Sequence, residues 1–90
     1  MNNGMRVGYS RTFQKMFKKQ RKTVQEKFTE RLEVFVCDPH CEILKNHALR
    51  GEWRPCRSIN ITGDIRAVYE EISEGQYEFV AIGSHSELYS

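Results

Sequence analysis

The sequence predicts an α+β fold: a short N-terminal strand, then a two-helix hairpin packed on a twisted antiparallel sheet. Three observations predict it. Apolar residues recur at three and four between residues 13 and 35, the period of a helix with one buried face. Between residues 56 and 82 the pattern changes to three runs rich in β-branched and aromatic residues. The two breaks in that stretch, Thr62-Gly63-Asp64 and Ser73-Glu74-Gly75, are short enough for hairpins, so the runs should form a meander. Ninety residues support one hydrophobic core, so a single domain spanning residues 1–90 is expected, with residues 1–5 as a flexible leader.

Taken in order, Arg6-Val7-Gly8-Tyr9 is the first strand, and Ser10 stands where a helix N-cap should be. Phe13, Met16 and Phe17 share one face of the first helix, with Lys15, Lys18 and Lys19 largely on the other. Across Gln20 to Lys22 the chain turns. Thr23-Val-Gln-Glu26 fits a capping box, in which Thr accepts from the third amide and Glu reaches back to the cap amide. Val24, Phe28, Leu32 and Phe35 form the buried stripe that follows. Asp38-Pro39 ends the helix, because a residue before proline is pushed out of the α region. Cys41 to Gly51 is expected to be a loop carrying His47, anchored by Leu44 and Leu49. Strands are expected at 56–61, 65–72 and 76–82. The helices must cover one face of the sheet to bury it, which leaves the other face for function.

Composition narrows the function classes. Apolar residues make up 39% and charged residues 29%, and no apolar run approaches the roughly 20 residues of a membrane span. No apolar segment follows the N-terminal methionine, so a cytoplasmic protein without a secretory signal is expected. The net charge of +2 is unevenly spread. Residues 1–31 hold nine Lys/Arg against Glu26 and Glu30, while the remainder holds five against ten acidic residues. A cationic front third suits a polyanion, since each neutralised phosphate releases counterions; the same residues could equally form a solvated helix face. Cys37, Cys41 and Cys56 are odd in number, which favours free thiols. Cys37, His40 and Cys41, with Cys56 or His47, also admit a small zinc-binding interaction domain, although the spacing lacks a second paired half.

Four blocks of the C-terminal half carry a resemblance: His47-Ala-Leu-Arg-Gly51-Glu-Trp53, Arg57-Ser-Ile-Asn-Ile61, Gly63-Asp-Ile-Arg-Ala-Val-Tyr69 and Ile82-Gly-Ser-His-Ser-Glu-Leu-Tyr89. Together they resemble the successive signature blocks of RelE/YafQ-type toxins, and the two basic helices fall in register with the same family. The resemblance implies a RelE-like, microbial-ribonuclease-like fold acting as the toxin of a type II toxin–antitoxin system. It implies metal-independent cleavage of messenger RNA on the ribosome, no cofactor, and a cognate antitoxin as partner. By the same resemblance Arg66 takes a catalytic arginine position, His85 an acid-histidine position, Tyr89 a C-terminal tyrosine position, and His47 and Asp64 a histidine and an aspartate of YafQ-like members. The chain departs from that pattern at Asn60, where a second histidine is expected, at Ile65 in place of a tryptophan, and at Ala81 in place of an arginine. The identity of the general base stays open, with Tyr89 and Asp64 as aids to deprotonation.

The side chains suit this chemistry. RNA is cut without metal when its 2′-hydroxyl attacks the adjacent phosphate, given a proton acceptor, a proton donor for the leaving 5′-oxygen, and cations for the phosphorane. Alternation puts Ser58 and Asn60 on one face, onto which Arg66 and His85 can project. A guanidinium is permanently charged and bidentate toward phosphate, and a histidine donates protons near neutrality. Lys15, Lys18, Lys19, Lys22, Arg57 and Asn60 are the expected RNA contacts. Each residue also has a plainer reading: Arg66 paired with Glu70 or Glu78, Asp64 as a turn residue, Tyr89 as a core plug, His47 as a loop pin and Trp53 as packing. A module of the same fold that grips RNA or ribosome without cutting is the remaining alternative.

Overall fold

The structure is a computed structural model that describes residues 4–89. Its elements are β1 (Arg6–Tyr9), α1 (Arg11–Lys18), α2 (Lys22–Cys37), β2 (His47–Ala48), β3 (Arg57–Asn60), β4 (Ile65–Ser73), β5 (Gln76–Ser84) and α3 (His85–Tyr89). The α+β architecture is the expected one, and β3, β4 and β5 form the antiparallel meander. The whole sheet, however, is mixed. Its order is β1-β5-β4-β3-β2, and β1 lies parallel to β5, which a wholly antiparallel sheet does not allow. The parallel pairing is possible because the α1–α2 hairpin and the connection after it carry the chain back between the two strands. No helix among the described residues is long and apolar enough to cross a membrane.

Ser10 caps α1 as expected: its Oγ accepts from the Phe13 amide at 3.0 Å. The same hydroxyl donates to the Val80 carbonyl at 3.2 Å. That carbonyl lies at a register shift in the β4–β5 ladder, between the Val68–Ala81 and Tyr69–Phe79 pairs, where ladder partners are interrupted. A single serine thus caps a helix and joins it to the bulged strand.

The second helix starts earlier than expected. Arg21 is its N-cap and makes no side-chain cap bond, so Thr23 lies inside the first turn and the Thr23–Glu26 box is not used. The reason is the tight α1–α2 connection. Gln25 Nε2 donates to the Phe17 carbonyl at 2.9 Å, which also accepts from the Gln20 amide at 3.0 Å, and this bond ties the first turns of α2 to the end of α1.

Two clusters of buried side chains sit on opposite faces of the sheet. The larger one gathers Phe13, Phe28 and Phe35 of the helices with Ile59, Ala67, Tyr69, Phe79 and Ile82 of the strands, and Leu44 of a 3₁₀ turn. Its rings meet at centroid distances of 4.8 to 5.9 Å, including Phe35–Tyr69 at 4.8 Å and Phe28–Phe79 at 5.3 Å. Met5 packs against this cluster, so the expected flexible leader does not reach that far; residues 1–3 lie outside the described residues. The smaller cluster joins Cys56, Val68, Ala81 and Leu88 beneath α3, with Trp53 and Tyr89 at its margin. The face expected to stand free for function is therefore partly covered by an element that the sequence pattern did not announce.

Candidate active site

What α3 and the strand β2 leave uncovered is a cleft of about 440 Å³ lined by His47, Leu49, Arg50, Trp53, Ser58, Arg66, His85 and Tyr89. Four of the five expected catalytic residues line it: His47, Arg66, His85 and Tyr89. Strand pairing brings them there. His47 is opposite Ser58 across β2–β3, and Arg66 is opposite Asn60 on β3 and Gly83 on β5, so these positions share one face.

Arg66 is half-buried and tied to the β3–β4 turn. Its Nη1 donates to the carbonyls of Thr62, Gly63 and Ile65 at 3.0, 3.3 and 3.2 Å. Neither Glu70 nor Glu78 pairs with it; among the described residues the one ion pair is Lys27–Glu30 at 3.5 Å. Its charge is thus held in place by neutral oxygens and left uncompensated, a fixed cation on the cleft wall.

His85 is the first residue of α3. The turn that presents it is held by a capping box at Ser84-His-Ser-Glu87: Glu87 Oε1 accepts from the Ser84 amide at 2.7 Å, and Ser84 Oγ accepts from the Glu87 amide at 3.1 Å. Gly83 allows this closure. A Cβ there would lie 2.8 Å from Glu87 Oε1 and 3.3 Å from Glu87 Cβ. The glycine, serine and glutamate of the last signature block therefore serve one purpose, which is to aim the histidine.

His47 is exposed, and it sits on β2 rather than in the loop expected for it. Its Nδ1 lies 3.0 Å from the Lys45 carbonyl. A carbonyl only accepts, so Nδ1 carries the hydrogen, and in the neutral ring Nε2 keeps a lone pair. Tyr89 is half-buried, and its hydroxyl donates to Ser58 Oγ at 3.3 Å. Its ring meets His85 edge-on at 4.8 Å and Trp53 at 5.9 Å. Tyr89 and Trp53 thus pack the second cluster and form one wall of the cleft, so the packing expected of Trp53 holds. Arg50 was not singled out in the sequence; its place inside the His47–Trp53 block was the available signal.

The other expected residues do not line the cleft. Asp64 is exposed at the β3–β4 turn and lines an adjoining concavity with Gln20, Arg21, Ser84, Ser86 and Glu87, because the turn carries it toward the α1–α2 connection. Arg57, expected as an RNA contact, is half-buried and does not line the cleft. It pairs with Tyr69, whose ring belongs to the helix-covered face, and its Nε donates to Asn46 Oδ1 at 2.7 Å; alternation with Ser58 sends it there. Asn60 is half-buried and faces Arg66 across the strand pair. Lys15, Lys18, Lys19 and Lys22 are all exposed on the hairpin, and none joins an ion pair among the described residues.

The cysteines do not converge. Cys37 is exposed at the end of α2, Cys41 packs against the larger cluster, and Cys56 is buried in the smaller one on the opposite face. Burial, and then Glu70, push the Cys56 thiol above its usual range. Among the described residues no group of three His, Cys, Asp or Glu side chains could hold a metal ion.

Comparison with known proteins places this geometry. Residues 5–90 match the family described as bacterial toxin of type II toxin–antitoxin system, YafQ. The fold is similar to that of YafQ from E. coli strain BL21(DE3), with a TM-score of 0.80 at 20% identity over 93% of this chain and 97% of that one. It is similar to a chain of the E. coli DinJ-YafQ toxin-antitoxin complex, with a TM-score of 0.78 at 21% identity over 96% and 99%. A YoeB/ParE toxin from Agrobacterium tumefaciens gives a TM-score of 0.75 at 19% identity over 90% and 99%. No curated protein matches the chain.

Proposed function

The chain belongs to the YafQ family of bacterial toxins of type II toxin–antitoxin systems, and from that membership we propose that it is an endoribonuclease that cleaves messenger RNA on the ribosome. The observation that carries the reading is the cleft itself. It holds two histidines, one with a lone pair fixed at Nε2, beside a guanidinium that has no carboxylate partner among the described residues.

In this reading His47 Nε2 takes the proton of the 2′-hydroxyl as that oxygen attacks the adjacent phosphorus. Arg66, with Arg50 also lining the cleft, stabilises the charge that grows on the phosphorane oxygens. His85 then gives a proton to the leaving 5′-oxygen, and the products are a 2′,3′-cyclic phosphate and a 5′-hydroxyl end. Tyr89 orients the His85 ring by its edge-on contact and offers a surface on which a base can stack. Asp64, at the turn that anchors Arg66, acts on RNA outside the cleft or only shapes the turn. No step draws on a metal or an organic cofactor. The exposed lysines of the hairpin supply the sequence-independent attraction to ribosomal RNA. The cognate partner is an antitoxin, as DinJ is for E. coli YafQ in the complex of that name.

The test separates the two histidines. An RNA whose scissile 5′-oxygen is replaced by sulfur needs no protonated leaving group. It should restore cleavage by His85→Gln while leaving His47→Gln and Arg66→Ala impaired. Equal rescue of all three variants removes His85 from the donor role. Undiminished growth of bacteria expressing the intact chain without an antitoxin argues instead for a module that binds without cutting.

A further inference from the structure

His47 lies on the weakest element of the sheet. β2 has two residues and two paired positions, and the connection between α2 and β3 is otherwise irregular apart from two 3₁₀ turns. Such a strand does not hold its own register. Something else fixes the histidine, and the residue before it is the one with the bonds to do so.

Asn46 uses its whole amide. Its Nδ2 donates to the Pro39 carbonyl at 2.8 Å and to the Tyr69 hydroxyl at 2.7 Å, and its Oδ1 accepts from Arg57 Nε at 2.7 Å. These partners belong to three parts of the fold: the turn after α2, the central strand β4 and the strand β3. The amide fits in one orientation only. Turned over, it would set Oδ1 against a carbonyl and Nδ2 against an N–H donor. Tyr69 is itself rooted in the larger cluster, 2% exposed, with Phe35 and Phe79 against its ring. The network therefore joins the segment to the core rather than to another loop.

The residue before Asn46 shows what is being held. Lys45 has φ of 49°, the left-handed region that a side chain with a Cβ seldom adopts and keeps only where its surroundings impose it. That conformation places the Lys45 carbonyl 3.0 Å from His47 Nδ1. Asn46 thus sits between a strained residue and the histidine that depends on its carbonyl.

We propose that Asn46, held by Arg57, Tyr69 and Pro39, is a positioning residue that fixes the ring orientation and tautomer of His47. It rests on the reading of His47 as the proton acceptor, but the tether can be measured apart from activity. Without the Asn46 amide Lys45 relaxes, its carbonyl turns from Nδ1, and the ring passes to the Nε2–H tautomer, whose lone pair is on Nδ1 and no longer at the Nε2 that meets the 2′-hydroxyl. The loss is of the kind that accompanies a displacement of about 1 Å in a reacting group, on the order of 100-fold in rate. Arg57, expected from the sequence to touch RNA, acts here through Asn46.

The experiment is a ¹⁵N spectrum of the imidazoles, recorded where His47 is neutral, together with single-turnover cleavage. The intact protein should show His47 as the Nδ1–H form. Asn46→Ala should show a mixture or the Nε2–H form and lose cleavage on the order of 100-fold, but lose nothing more when added to His47→Ala. Tyr69→Phe removes one partner while keeping the ring in the core. It should shift the tautomer in the same direction by a smaller amount, and it carries the test if Asn46→Ala does not fold. An unchanged His47 tautomer in folded Asn46→Ala, or in Tyr69→Phe where only that variant folds, overturns the proposal. So does a full additional loss from Asn46→Ala in the His47→Ala background. Wild-type cleavage by His47→Ala would sink the proton-acceptor reading instead, and the spectrum would still decide the tether.

Discussion

Inserting a methyl group at Gly83 should uncouple α3 from the sheet and silence the cleft without unfolding the protein. The Cβ of Gly83→Ala would lie 2.8 Å from Glu87 Oε1 and 3.3 Å from Glu87 Cβ, with Met16 Cε in ordinary contact at 3.5 Å. The carboxylate has to move, and it is the carboxylate that accepts from the Ser84 amide at 2.7 Å. Losing a helix-capping bond of this charge-assisted kind costs about 1 to 2 kcal/mol, and crowding an already filled contact adds a cost of the same order. The helix has five residues, too few to persist unless docked, and its one buried side chain is Leu88. A cost of about 2 kcal/mol raises the undocked population roughly 30-fold, since each 1.4 kcal/mol is a factor of ten. The larger cluster, where Phe35 and Phe79 are fully buried, is untouched. Amide exchange in residues 85–89 should therefore accelerate on the order of 30-fold while the central strands keep their protection. Both His85 and Tyr89 ride on α3, and a docked helix without its cap no longer holds them to within about 1 Å, so cleavage should fall by roughly 10- to 100-fold from misplacement rather than from undocking. Glu87→Ala should reproduce the effect, and Glu87→Gln, which keeps a neutral acceptor, should fall between. Unaltered exchange across residues 85–89 together with wild-type cleavage in Gly83→Ala would refute the claim that the Ser84–Glu87 box aims the histidine.

Reversing charge at Lys15, Lys18, Lys19 and Lys22 should weaken ribosome binding and reduce its log–log salt slope by about 3, if each contacts one phosphate; an unchanged slope makes them a solvated face. Stability should decline as pH rises from about 10. Burial pushes the Tyr69 hydroxyl above its usual 10.0, with the Asn46 and Arg57 hydrogen bonds opposing, so the folded chain holds that proton more tightly and stability is complete below 10 and lost through the folded value. Tyr69→Phe should blunt the decline in alkaline melting curves, although Tyr9 and Tyr77, raised in the same direction, keep part of it. With a thiol reagent at neutral pH, exposed Cys37 should react quickly, and Cys56, buried and pushed up by burial and then Glu70, should react only as the smaller cluster opens. Equal rates for the two would contradict the placement of Cys56 under α3.

The sequence by itself determined the elements whose signals are local. Ser10 as a cap, the stripe of Phe28 and Phe35, the stop at Asp38-Pro39 and the β3–β4–β5 meander each depend on residues a few positions apart, and each was found where the pattern put it. Most of the cleft was legible through signature blocks, because those blocks carry the side chains that line it. Only the tertiary structure decided between chemically equal local options. Thr23-Val-Gln-Glu26 and Ser84-His-Ser-Glu87 spell the same capping box, yet only the second closes. The first is overruled by a bond from Gln25 to the preceding helix, the second is permitted by a glycine on the strand it folds against. Arg57 and Ser58 are neighbours, and which of them faces the cleft follows from strand register, as does the separation of Asp64 from Arg66. The parallel placement of β1 beside β5 joins residues some 70 positions apart. No short window of sequence contains that pairing, since the strand it hydrogen-bonds to and the cluster that Val7 packs against come from distant parts of the chain.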